Sequence, residues 1–174
     1  MRLKGKKAAI LVEEMYNDFE FWIPYYRLKE EGVEVVVVGS GSASVYDSKF
    51  GIPANVDKNA ADVSADDFDA VVIPGGYAPD KMRVHSEMVG LVRDLFQKGK
   101  IVAAICHAGW MLVSADIVRG KKATSYIAIK DDMVNAGALW EDSELVRDGN
   151  LITSRKPDDL PAFCRTLVQA MEQG

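Results

Sequence analysis

The sequence predicts an α/β sandwich with a mostly parallel central sheet, on three observations. Four short apolar runs, Lys7–Val12, Val33–Gly39, Ala70–Ile73 and Ile101–Ile105, are continuous rather than alternating, as strands buried on both faces must be. Segments with helical periodicity lie between them, the spacing of βαβ units. The longest apolar stretches fall far short of the roughly 18 residues that a membrane span requires.

In chain order, the first run ends at Glu13-Glu14. Phe19, Trp22, Ile23 and Tyr26 then form an i, i+3, i+4, i+7 stripe that predicts a helix with a buried face, stopped by Gly32. Pro24 lies inside that stripe, so the helix is expected to kink there or to begin late. After the second and third strands, Met88, Leu91, Val92, Leu95 and Phe96 mark another helix, stopped by Gly99. Beyond the fourth strand, Asp148-Gly149 predicts a hairpin between Leu145–Arg147 and Leu151–Thr153. A last helix from about Asp158 places Leu160, Phe163, Cys164, Leu167, Val168 and Met171 on one face. No repeat or linker interrupts the chain, and one domain is expected over residues 1–174.

Composition narrows the function. The chain of 174 residues is 48% apolar and 27% charged, with 26 acidic and 21 basic residues and a net charge of −5. That balance argues against nucleic-acid binding, which needs a basic face. Lys4, Lys6 and Lys7, and Arg119, Lys121 and Lys122, read as solvated surface. The basic start is not followed by an apolar segment of secretory length. Two cysteines, Cys106 and Cys164, are too few for a disulfide scaffold, so a reducing, cytoplasmic location is expected. With only His85 and His107 and no ligand spacing, neither a metal nor another cofactor is expected.

The chemistry concentrates at Ile105-Cys106-His107-Ala108-Gly109. A buried strand ends at Cys106 and helical periodicity begins at once, which puts a nucleophile-type residue on a strand–turn–helix corner. Open α/β sheets hold their ligands at the carboxyl ends of such strands. Helix N–H groups there favour a thiolate, and His107 is placed to carry a proton. Cys164, on an apolar stripe, reads as core. Pro74-Gly75-Gly76 ends another strand, where free N–H groups could form an oxyanion hole. Gly39-Ser40-Gly41-Ser42 lacks the third glycine and the helix start of a dinucleotide motif.

Several motifs in order then identify a relationship. Glu20-Phe-Trp-Ile-Pro24-Tyr-Tyr-Arg27, Val72-Ile-Pro-Gly-Gly76-Tyr-Ala-Pro79, Ala104-Ile-Cys-His107, Thr124-Ser-Tyr126, Lys130-Asp-Asp132, Asn135-Ala-Gly137 and Asp148–Arg155 resemble the DJ-1/PfpI superfamily, in its PfpI-like branch of intracellular cysteine peptidases and deglycases. The resemblance implies a flavodoxin-like three-layer sandwich with Cys106 as nucleophile on a strained elbow. It implies His107 as proton-transfer partner and the N–H groups of Gly76 and His107 as oxyanion hole. It also implies a homodimer or higher homo-oligomer in which an acidic residue, here Asp80, comes from a neighbouring subunit; PfpI-like relatives have a longer glutamate there. Relatives carry a glutamate against the cysteine sulfur, and the register of Asp18, Glu20 and Pro24 assigns that place to Asn17. Glu13 and Glu14 are the carboxylates that could stand in.

The expected activity is hydrolase or lyase chemistry on small carbonyl compounds or glycated protein and peptide, of deglycase or glyoxalase type, with peptide hydrolysis using the same parts. The alternative is a non-enzymatic stress protein, either a chaperone or a redox sensor that oxidises Cys106. An amidotransferase role is disfavoured by the lack of a synthetase domain and of a distant catalytic histidine.

Overall fold

The computed structural model describes residues 1–174. Its strands are β1 (Lys7–Val12), β2 (Glu34–Gly39), β3 (Val45–Asp47), β4 (Pro53–Asn55), β5 (Lys58–Asn59), β6 (Ala70–Ile73), β7 (Ile101–Ile105), β8 (Lys122–Ala123), β9 (Leu139–Trp140), β10 (Val146–Asp148) and β11 (Leu151–Ser154). The helices are α1 (Asp18–Glu30), α2 (Ala78–Met82), α3 (Ser86–Gln97), α4 (Gly109–Ser114), α5 (Lys130–Asn135) and α6 (Leu160–Gln173). No helix is long and apolar enough to cross a membrane.

Seven strands form one sheet in the order β10-β11-β7-β6-β1-β2-β5, parallel except for the β10–β11 hairpin. The four expected strands lie in its middle. Ala8–Val12, Val71–Ile73 and Val102–Ala103 are wholly inaccessible, as continuous apolar runs require. The chain steps from β1 outward to β2, then returns to β6 on the other side of β1. Right-handed crossovers therefore put α1 and α3 on opposite faces and open a crevice at the carboxyl ends of β1 and β6. This is the three-layer flavodoxin-like arrangement. The hairpin turns through Gly149, whose φ of 62° suits the first central position of a tight turn.

Helices α3 and α6 bury the faces their sequences predict, and Cys164 is core. Helix α1 departs from expectation. It begins six residues before Pro24 rather than late, and it runs through that proline to Glu30. Most of its apolar stripe faces outward: Phe19 is 54% and Tyr26 62% exposed and Ile23 is exposed too, Trp22 alone packs half-buried against the core, and Phe21, Pro24 and Leu28 are the buried residues. The rotation has a physical cause. Glu20 lies on the inner face with Phe21 and Pro24, held there by the backbone of the β6 turn.

Phe163, fully buried in α6, anchors that helix against the sheet. Phe163→Ala is expected to cost about 3–5 kcal/mol and to lower Tm by about 10 °C. Thermal unfolding followed by circular dichroism checks it, and a drop of under about 3 °C would contradict this role.

Candidate active site

Three loops at the carboxyl ends of β1, β6 and β7 are laced together by backbone bonds. The Asn17 N–H donates to the Gly75 carbonyl at 3.1 Å, and the Tyr77 N–H donates to the Met15 carbonyl at 3.0 Å. Gly75 and Gly76 have no space for side chains. A Cβ on Gly75 would stand 2.5 Å from Glu20 Oε2 and 2.8 Å from the Cys106 Cβ. One on Gly76, whose φ is +79°, would stand 2.6 Å from both the Asn17 nitrogen and the Met15 carbonyl oxygen.

Cys106 occupies the corner after β7 with φ 63°, a left-handed conformation that a non-glycine residue holds only under constraint. A short 3₁₀ turn, Cys106–Ala108, leads into α4, so the strand–turn–helix corner takes the form expected. The nearby backbone N–H groups of His107 and Gly76 favour the thiolate and pull the thiol pKa down. Burial and the Glu20 charge outweigh them and push it up to about 12.

The carboxyl beside this sulfur belongs to Glu20, not Asn17. Glu20 is completely buried, and its Oε2 accepts the Gly75 N–H at 2.7 Å. Oε1 is buried with no hydrogen-bond partner, and the adjacent thiol is a group able to supply one. Burial raises the Glu20 pKa to about 7, against the pull of the Gly75 N–H and of the thiol. The Asn17 side chain instead caps α1, accepting from the Phe19 and Glu20 N–H groups at 3.1 and 3.2 Å. An amide oxygen already holding two donors is committed to the helix end, which is why it does not serve the sulfur. Asn17 still lines the cleft over Cys106.

His107 Nδ1 lies 3.3 Å from the Cys106 sulfur. The ring stacks on Tyr126 with centroids 4.8 Å apart and meets the edge of Trp110 at 5.3 Å. Burial, helped by the charge of Lys49, lowers the His107 pKa, so the imidazole is neutral and able to take a proton. No carboxylate of this chain pairs with it. Asp80, on α2, faces a separate hollow with Glu13, Glu14 and His85. Glu13 does not stand in for a glutamate at the sulfur, because its Oε1 accepts the Ser40 and Ser42 hydroxyls, both at 2.7 Å. Those serines belong to the glycine–serine run, so its polar groups serve a carboxylate of the chain. Glu14 accepts the Asp47 N–H and also faces away. No group of three potential metal ligands is present.

The cleft has a volume of about 350 Å³ and brings Asn17, Gly76, Cys106 and His107 together with Lys49, Tyr77, Tyr126 and Lys156. The sequence reading missed Glu20, Lys49 and Lys156 as site residues. For Glu20 a signal existed: Asn17-Asp-Phe-Glu20 is an N-cap pattern, which makes Asn17 a cap and places Glu20 three residues inside the helix. For the two lysines, no local pattern distinguishes them from surface residues.

The fold and site define an α/β protein with a left-handed cysteine on a strand–turn–helix corner. The chain belongs to the DJ-1/PfpI family, whose model matches residues 6–170. It is 44% identical over 166 residues to the deglycase PfpI of Pyrococcus furiosus, covering 95% of this chain and 99% of that protein. It is 39% identical over 169 residues to protein/nucleic acid deglycase 2 of Escherichia coli, covering 96% and 98%. Among solved structures it superposes with TM-score 0.92 and 48% identity on a two-domain protein of Anabaena variabilis that contains DJ-1/ThiJ/PfpI-like and ferritin-like domains. That match covers 94% of this chain and 47% of the other, so the chain spans about half of it.

Glu20 makes folding depend on pH. Its folded pKa near 7 exceeds the ordinary 4.5, so the folded state binds the extra proton between those values. Its contribution to stability is full below pH 4.5 and is lost as pH rises through 7. Relative to Glu20→Gln, the unsubstituted protein is expected to lose about 3 kcal/mol between pH 4.5 and 8. Urea unfolding of both proteins at the two pH values measures it, and parallel stability curves would contradict the assignment.

Proposed function

We propose that this protein is a cysteine-dependent hydrolase acting on reactive carbonyls and glycated amines. The observation that carries the reading is the left-handed Cys106 at the end of β7, at the mouth of a cleft it shares with Gly76 and His107, with the imidazole nitrogen 3.3 Å from its sulfur. The deglycase names of the relatives support the same reading.

In the proposed reaction, neutral His107 takes the thiol proton as substrate arrives, and the thiolate attacks the aldehyde carbon. The oxyanion that forms gathers the Gly76 and His107 N–H groups, and a proton from His107 completes the hemithioacetal. With methylglyoxal, the former aldehyde hydrogen leaves as a proton and another is added at the neighbouring carbon, giving a lactoyl thioester. Water cleaves that thioester to lactate and restores the thiol. The sum is methylglyoxal plus water giving lactic acid. With a glycated amine, the same attack expels the amine and leaves the same adduct. Asp80 from a partner subunit would orient His107, whose own chain supplies no carboxylate.

Peptide hydrolysis would use the same parts, but a cleft of about 350 Å³ suits a small carbonyl better than an extended peptide. A redox-sensing role would use the same thiol, and oxygen addition at Cys106 under peroxide without turnover would favour it.

The test is methylglyoxal consumption with lactate formation. Turnover is expected from the unsubstituted protein, with a loss of at least about a thousandfold in Cys106→Ser. Absence of turnover, or its survival in Cys106→Ser, would overturn the reading.

A further inference from the structure

The cleft over Cys106 inverts the charge of the molecule around it. The chain carries a net charge of −5, yet the lining of this cleft holds two ammonium groups and no acidic side chain. Lys49 has no carboxylate within 4 Å, and its ammonium lies over the Tyr77 ring, 5.3 Å from the centroid. Its backbone is fixed: the Lys49 N–H donates to the Tyr16 carbonyl at 2.9 Å, and the preceding Ser48 hydroxyl donates to buried Asp18. Lys156, after β11, approaches from the other side and pairs only with exposed Asp158 at 3.4 Å. The Lys49 charge is felt inside the site, where it lowers the pKa of both His107 and Glu20.

Rim lysines are ordinary surface features, and most contact nothing but water. Lys49 differs in having a fixed backbone, no carboxylate within 4 Å and a charge that is felt at His107 and Glu20. An ammonium beside a small cleft raises the local concentration of anions, and it does so most strongly where no carboxylate cancels it. We propose that the Cys106 cleft selects carbonyl substrates that carry a carboxylate, with Lys49 as the principal anchor of that group and Lys156 as the second. The proposal rests on Cys106 being the nucleophile, and it makes Lys49 a specificity-determining residue. A 2-oxo aldehyde or glycated amine bearing a carboxylate would then be bound with its anion at the lysines and its carbonyl carbon over the sulfur.

The test uses two alkylating agents of nearly the same size, iodoacetate and neutral iodoacetamide, with the adduct on Cys106 counted by peptide mass spectrometry. The ratio of their rates is compared with the ratio for 2-mercaptoethanol at the same pH and ionic strength, which removes intrinsic reactivity. A net charge of −5 and the Glu20 carboxylate would by themselves push the protein's ratio below that of the small thiol. The proposal expects a ratio above it, by about threefold for each ammonium, the effect of a unit charge roughly 6 Å away across water. It expects the preference to disappear in the Lys49→Gln/Lys156→Gln double variant and to shrink in about 0.5 M salt. A ratio no higher than that of 2-mercaptoethanol overturns it, as does a preference that the double variant retains. Labelling needs no turnover, so a protein inert to methylglyoxal still tests the charge preference, and an active one can still fail it.

Discussion

Everything at the site depends on the lack of a side chain at Gly75. The Glu20 carboxylate and the Cys106 Cβ both press on the space where a Cβ would be, and the Gly75 N–H holds Glu20 in place at 2.7 Å. That one close approach draws the first turn of α1, the β6 turn and the β7 corner to a common point. Gly76, next in sequence, extends it by letting the β6 turn lie against Met15 and Asn17. A substitution at either glycine would force backbone apart, whereas most exposed positions of this chain can take a side chain freely.

The constraint explains two conformations that would otherwise be unfavourable. Cys106 has a positive φ, which costs on the order of 1–3 kcal/mol, and a core of more than fifty clustered residues from the sheet and its covering helices holds it there. Glu20 is a carboxyl in an apolar interior with one donor where two or three would be usual, so its ionised form is disfavoured. The two groups oppose one another. An ionised Glu20 raises the thiol pKa, and a protonated Glu20 removes that opposition while offering a donor to the sulfur. With a carboxyl pKa near 7, the proton balance between them shifts across the physiological range.

The sheet was legible because its strands are buried on both faces, and continuous Val/Ile/Ala runs have few other uses. Lys7–Val12, Ala70–Ile73 and Ile101–Ile105 match residue for residue. The corner at Cys106 followed from a strand ending where a helix begins. What failed was rotation. Helix α1 carries aromatic and aliphatic residues on two faces, so periodicity alone could not choose between Phe19-Trp22-Ile23-Tyr26 and Phe21-Pro24-Leu28. The choice was made by Glu20, a charged residue turned inward to meet a backbone N–H contributed from 55 residues away. Asn17 and Glu20 differ because the cap's side chain turns back onto the first N–H groups of the helix, while Glu20, three residues on, meets the Gly75 N–H. Lys49 and Lys156 are distant in sequence and converge only through the topology of the sheet.

The central claim is that the carboxyl against the Cys106 thiol keeps its proton far above the ordinary glutamate range, to about neutral pH. Infrared difference spectroscopy measures it directly, through the C=O stretch of a protonated carboxyl that is present in the unsubstituted protein and absent from Glu20→Gln. The account predicts that this band is strong at pH 6 and fades with a midpoint near 7. A band that has already vanished by pH 5.5, as for an ordinary solvated glutamate, would contradict it.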